Sequence, residues 1–257
     1  MSNAFIRSFR SEWLKKKRTA SAWLVLIGGS LVPLIILIAR FVNADTLYDE
    51  TVSPHLWEII FQRCWQFMAI FLLPLGVILA TSLITQIEFR NNTWKQIHTS
   101  PQSFTTIFFA KLSVILVMVV QFFILFNIGM FLAGIIPSLL KPSLPFPPAH
   151  FPFLSLMKAN GLFFIDCLPI VALQYVISLQ FRNFLVPLGA GLGLFIASMI
   201  AVNWKYGFVI PYTSCILQFV GKKLTSQHDH IPQIATMYFL LFITTGYFLY
   251  IRKKARG

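Results

Sequence analysis

Asp166 is the one acidic residue inside a long apolar run, Phe163-Phe164-Ile165-Asp166-Cys167-Leu168-Pro169. Ionisable groups within a bilayer are costly and often functional, so this carboxyl could belong to a transport path. It could equally lie near the end of a span and hydrogen-bond a neighbouring helix. A lone carboxylate does not make a proton-coupled carrier. His228-Asp229-His230 has the residue types of a metal site but sits on one loop with no further candidate ligand nearby. It reads as solvated polar residues, and no metal is expected. The remaining histidines are scattered. There is no GxxxxGK[ST], no HExxH and no GxSxG, so neither a nucleotide site nor a catalytic residue is expected on this chain. Cys64, Cys167 and Cys215 show no CxxC and no ligand spacing. Cys167 suits a small packing residue. Cys64 and Cys215 fall on the same side of the expected topology, which leaves a disulfide open without arguing for one.

The elements that carry these residues follow from composition. Of 257 residues, 57% are hydrophobic and 11% charged, against about 25% charged in an ordinary soluble domain. A soluble globular enzyme is therefore excluded, and 27 Phe exclude disorder. The apolar residues fall into six blocks, 20–41, 67–87, 107–136, 161–179, 184–202 and 231–251. Each meets or approaches the roughly 20 residues that a helix needs to cross the hydrocarbon core. Backbone groups in lipid must be satisfied within the segment, so the fold class is an all-α integral membrane protein of six transmembrane helices. The third block is longer than a span requires. It either tilts or leaves the bilayer near Gly134 and Pro137. The first block follows Lys15-Lys16-Lys17-Arg18 like a signal peptide, but it is too long and no small-x-small site follows, so it reads as a retained span.

The net charge of +13 sits in short segments beside the apolar blocks, where it sets orientation rather than binding nucleic acid. Fourteen Lys and Arg fall on the side of the two termini and seven on the other. Both termini are therefore expected in the cytoplasm. The loops are short, so residues 1–257 form one membrane domain. The stretch Lys141 to Pro148 is expected to be an extended outer connection.

Three segments are not simple spans. Residues 1–19 place Phe5, Phe9 and Trp13 at intervals of four, with the basic residues facing elsewhere. This is an amphipathic helix in the cytoplasmic interface, either a plain anchor or an elbow that borders a cytoplasmic partner. In the loop after the second span, Thr93-x-x-Gln96 matches a capping box, and Ser100 before Pro101 ends the helix. Trp94 and Ile97 share a face of that short helix, suited to a groove on another protein or to an interfacial belt. Between the fifth and sixth spans, 206–212 and 215–220 are apolar but too short to cross. They read as a re-entrant outer hairpin or a lipid-surface loop. Gly189-x-x-x-Gly193, with Gly191 between, gives the fifth span a small face for helix packing, inside the subunit or between subunits.

Together these segments resemble the ABC-2-type permease subunits of bacterial ABC exporters. The resemblance covers the layout of nearly the whole chain. At residue level it rests on Glu88, Arg90, Thr93, Thr99 to Pro101 and Lys111. Asn92 stands where the family often has Gly, and Asn also tolerates a left-handed turn. The nearest likeness is to small permeases of multidrug, bacitracin-like or lantibiotic-immunity type. The resemblance implies a chain in the bacterial cytoplasmic (inner) membrane that binds no cofactor itself. ATP and Mg would sit on two copies of a separate ATPase. Glu88, Arg90, Thr93, Trp94 and Ile97 would transmit ATPase movement to the spans, and a second permease, same or related, would complete the path. Two other readings compete. A secondary carrier or intramembrane enzyme acting alone would need more intramembrane polar groups than Asp166. A scaffold or sensor subunit would form complexes without flux.

Overall fold

The computed structural model describes residues 2–17, 19–43, 48–90, 103–141, 144–148, 150–221 and 228–255. Among them every regular element is helical. The order is α1 (Ser2–Lys17), α2 (Ala20–Val42), α3 (Tyr48–Val52), α4 (Leu56–Phe67), a π-helical turn (Met68–Leu72), α5 (Leu73–Arg90) and α6 (Phe104–Leu140). There follow α7 (Phe153–Gln180), α8 (Leu185–Ala201), two 3-10 turns, α9 (Ser214–Val220), a 3-10 turn (His228–His230) and α10 (Ile231–Ala255).

Five stretches are long and apolar enough to cross a membrane: Ala20–Val42, Leu56–Ile87, Phe104–Leu140, Phe153–Gln180 and Ile231–Arg252. The remaining expected span, fifth in chain order, is α8, a shorter apolar helix of 17 residues. At 1.5 Å per residue that is roughly 25 Å, a little under the hydrocarbon thickness.

Three spans run well past their apolar blocks, and one of these, α7, starts at Phe153 rather than Gly161. The helix containing the second block starts at Leu56 rather than Phe67. Glu58, Gln62 and Arg63 lower the hydropathy of α4, but Leu56, Trp57, Ile60, Cys64 and Trp65 form one buried face. The join to α5 is the π turn, immediately before Pro74. Proline lacks an N–H and its ring crowds the preceding turn, so the ladder widens there. The third long helix runs through Gly134 and Pro137 to Leu140. Gly134 faces the Trp57 ring, which occupies the place a Cβ would take.

Close approach holds the bundle together. In lipid, helices gain little from excluding water, and small residues that let backbones meet become important. A Cβ at Gly29 of α2 would stand 3.0 Å from the Phe122 carbonyl oxygen of α6, and Gly129 of α6 receives Pro33 of α2. Trp65 is the hub among α4, α6 and α7. It is fully buried, stacks on Phe163 at 3.7 Å and meets Phe126 edge-on at 5.1 Å.

The described ends of the chain lie at one end of the bundle. Glu12 of α1 reaches Lys111 near the start of α6. Tyr247 of α10 bonds Thr105 of α6 at 2.8 Å. At the opposite end Glu50 bridges Arg63 (2.6 Å) and the buried Arg40 (3.7 Å), which also donates to Thr51 (3.0 Å).

The apolar segment between α8 and α10 is folded into the bundle. Its 3-10 turns (Gly207–Val209 and Pro211–Thr213) and α9 pack on α7, α8 and the π turn. Tyr212, Thr213 and Cys215 are wholly buried. The turn is closed by Thr213 Oγ1, which donates to the Gly207 carbonyl at 2.7 Å. All three cysteines are free and buried, so Cys64 and Cys215 are not bonded.

Candidate functional site

The terminal end of the bundle is built from polar links between helices. On α1 the face turned inward is Ser8, Glu12 and Lys16, spaced four apart and all buried. Phe9 and Trp13 flank it, stacked on each other with centroids 6.0 Å apart. Phe5 stays exposed, as does Ile6. The expected face of Phe5, Phe9 and Trp13 is therefore split: two of the rings pack on the chain and one does not. The basic run is split as well, since Lys16 turns inward. Glu12 lies between Lys15 and Lys111, while Lys16 Nζ donates to Gln121 Oε1 at 2.5 Å. Burial pushes the Lys16 ammonium pKa below its ordinary range.

Glu88 and Arg90 occupy the last turn of α5. Their side chains, and the whole of Thr93, Trp94 and Ile97, lie outside the described residues, so the expected short helix does too. Just ahead of them is a residue that the charge pattern does not flag. Gln86 Nε2 donates to the carbonyls of Phe181 (2.7 Å) and Ser178 (3.2 Å), capping the end of α7. One turn back on α7, Tyr175 donates to the Phe108 carbonyl of α6 at 2.9 Å. Phe108 in turn packs on Tyr247 and Tyr250 of α10. The end of α5 is thus tied in series to α7, α6 and α10.

Deeper in the bundle Gln174 ties four elements at one point. Its Nε2 donates to Ser82 Oγ of α5 and to the Pro187 carbonyl of α8, both at 2.8 Å. Its Oε1 accepts from Tyr212 Oη at 2.9 Å. Gly191 makes room for this amide, because a Cβ there would stand 2.6 Å from Oε1. A Cβ at Gly189 or Gly193 would meet nothing within 4 Å among the described residues. The internal small face of α8 is Gly191, whereas the Gly189 and Gly193 side faces outward.

Asp166 is fully buried, and neither carboxyl oxygen has a hydrogen-bond partner among the described residues. Cys215 of α9 lies within electrostatic reach of it. A buried carboxyl without donors is a burden on the fold. We therefore expect Asp166→Leu to match or exceed the wild type in thermal unfolding in detergent. A loss above about 1 kcal/mol would mean that a donor serves this carboxyl in the native membrane.

At the end opposite the termini, a cleft of about 710 Å³ opens between α4, the start of α7 and α9. Trp57, Phe61 and Phe163 supply its apolar wall, and Glu58, Gln62 and Gln218 its polar one. Nothing in the linear pattern joins these three segments.

The arrangement is that of a helix bundle in which the described ends of the chain, the end of α5 and the start of α6 lie at one end. The family profile described as ABC-2 family transporter protein matches residues 8–201. The chain belongs to the ABC-2 transporter family. No curated protein and no solved structure matches it. This ABC-2 protein is a multi-pass membrane permease of an ABC transporter, a transporter's membrane component rather than an enzyme by itself. The matched region includes α1 from Ser8, the α5–α6 connection, Gln86, Gln174 and Asp166. ABC-2 permeases generally work with an ABC ATPase.

Proposed function

We propose that this permease forms the translocation path of an ATP-driven exporter in the bacterial cytoplasmic membrane, with both termini in the cytoplasm. Residues 1–257 act as one transmembrane unit in which α8 is the fifth of six spans and the α8–α10 segment a re-entrant outer hairpin. Two ATPase subunits carry ATP and Mg beneath the terminal end. A second permease, the same or a related chain, completes the path, and the outward Gly189 and Gly193 face of α8 is open to such a neighbour. The interfacial helix with Phe5, Phe9 and Trp13 borders the ATPase. Glu88, Arg90, Thr93, Trp94 and Ile97 receive its movement.

One observation carries the reading. The link that would meet the ATPase follows directly on Gln86, and Gln86 holds the end of α7. A push on the end of α5 would therefore reach α7, and through Tyr175 it would reach α6. Small displacements passed through packed, hydrogen-bonded elements are how such machines convert one movement into another. The excess of Lys and Arg on the termini's side supports the orientation.

The test is affinity purification of the tagged chain in mild detergent with mass spectrometry of what accompanies it. A near-stoichiometric P-loop ATPase is expected with the wild type. The double variant Trp94→Asp, Ile97→Asp should insert normally and lose that partner. If no ATPase appears even after crosslinking, the exporter reading fails, and the unpartnered Asp166 becomes the starting point for a carrier.

A further inference from the structure

Lys16 is a buried cation that no carboxylate answers among the described residues. Its exposure is 5%, and among those residues its ammonium meets Gln121 Oε1 and the face of Trp13, 4.2 Å from the ring centroid. The nearby acid, Glu12, is already shared between Lys15 and Lys111. An ammonium has three donors, and here one is used by a neutral amide. Burying a charge without an opposite charge is costly, so the site favours an anion brought from outside.

The surroundings specify what kind. Lys16 lines a groove of about 410 Å³ between α1, α2 and α6. Beyond Lys16, Gln121 and Trp13 the lining is aliphatic, with Val25, Leu26, Ile124 and Leu125 along it. One end is therefore cationic and amphipathic, the other a strip of hydrocarbon. A soluble anion would leave that strip empty, and a neutral lipid would leave the ammonium unanswered. We propose that this groove holds one anionic phospholipid, its phosphate on Lys16 and an acyl chain along Val25, Leu26 and Ile124. The Trp13 ring, already over the ammonium, closes the headgroup side. The lipid would add a further tie between α1 and the bundle beside the direct Glu12–Lys111 and Lys16–Gln121 contacts.

Native mass spectrometry of the full chain in detergent tests this, titrated with phosphatidylglycerol or with phosphatidylcholine of identical chains. The wild type should bind its first phosphatidylglycerol about tenfold more tightly than its first phosphatidylcholine. Lys16→Met keeps the stem and removes the charge, and should cut that preference by about fivefold. Arg10→Met makes the same charge change at an exposed position of the same helix and should alter it less than about twofold. Ala22→Trp fills the groove and should weaken binding of both lipids. Equal effects of Lys16→Met and Arg10→Met would reduce the attraction to diffuse charge and overturn the proposal. So would a wild type without preference, or an Ala22→Trp chain that binds lipid as before. Should Lys16→Met not fold, the groove-filling variant and the wild-type preference still decide the matter.

Discussion

Trp65→Ala is expected to destabilise the protein by about 3–5 kcal/mol, the range for removing a buried aromatic side chain. Trp65 touches Phe163 face to face and Phe126 edge to face, and it is wholly buried. These rings belong to α7 and α6, so one substitution opens the contact among three long helices. In lipid the loss is one of dispersion and fit rather than of water exclusion. Trp65→Phe should recover more than half of it, because a smaller ring can still stack on Phe163. Reversible unfolding in mixed micelles titrated with a denaturing detergent would measure both. A loss under about 1 kcal/mol for Trp65→Ala would mean that neighbouring side chains collapse into the space.

Gln174→Leu comes second, at about 2–4 kcal/mol. The substitution preserves bulk but strands Tyr212 Oη, Ser82 Oγ and the Pro187 carbonyl, all of which now meet the amide. Each buried group left unsatisfied costs about 1–3 kcal/mol, and measured membrane values sit at the lower end. Removing the partners tests the assignment. In the double variant Gln174→Leu, Tyr212→Phe, the second change should cost less than Tyr212→Phe alone, because the stranded hydroxyl is gone. Strict additivity would show that the two side chains do not act through one bond.

The helices and their order were legible in the sequence because lipid demands long apolar runs. The bounds were not, where a span begins as an amphipathic helix. Hydropathy stops at Phe67, but the buried stripe Leu56, Ile60 and Cys64 continues the same helix. Packing residues were partly legible. The Gly189–Gly193 pair was visible as a small face, yet the glycine that touches a neighbour is Gly191, since only it faces Gln174 and Ile78. The polar ties escaped because charges drew the reading, whereas Gln86 and Gln174 are neutral amides inside apolar runs. Their presence at such depth was itself the signal. The inward Glu12 could also have been found. It is the only acid in the first 44 residues, and Lys111 is the only charge in α6.

That ion pair has a consequence for how the chain is made. Glu12 leaves the ribosome early, but its partner on α6 is synthesised about 100 residues later. At roughly 5–20 residues per second, α1 spends on the order of 5–20 seconds with its acid unanswered by Lys111. In that interval α2 and the long helix from α4 to α5 are synthesised. Helix α1 is thus made well before α6 and gains its Lys111 contact only once α6 has been made.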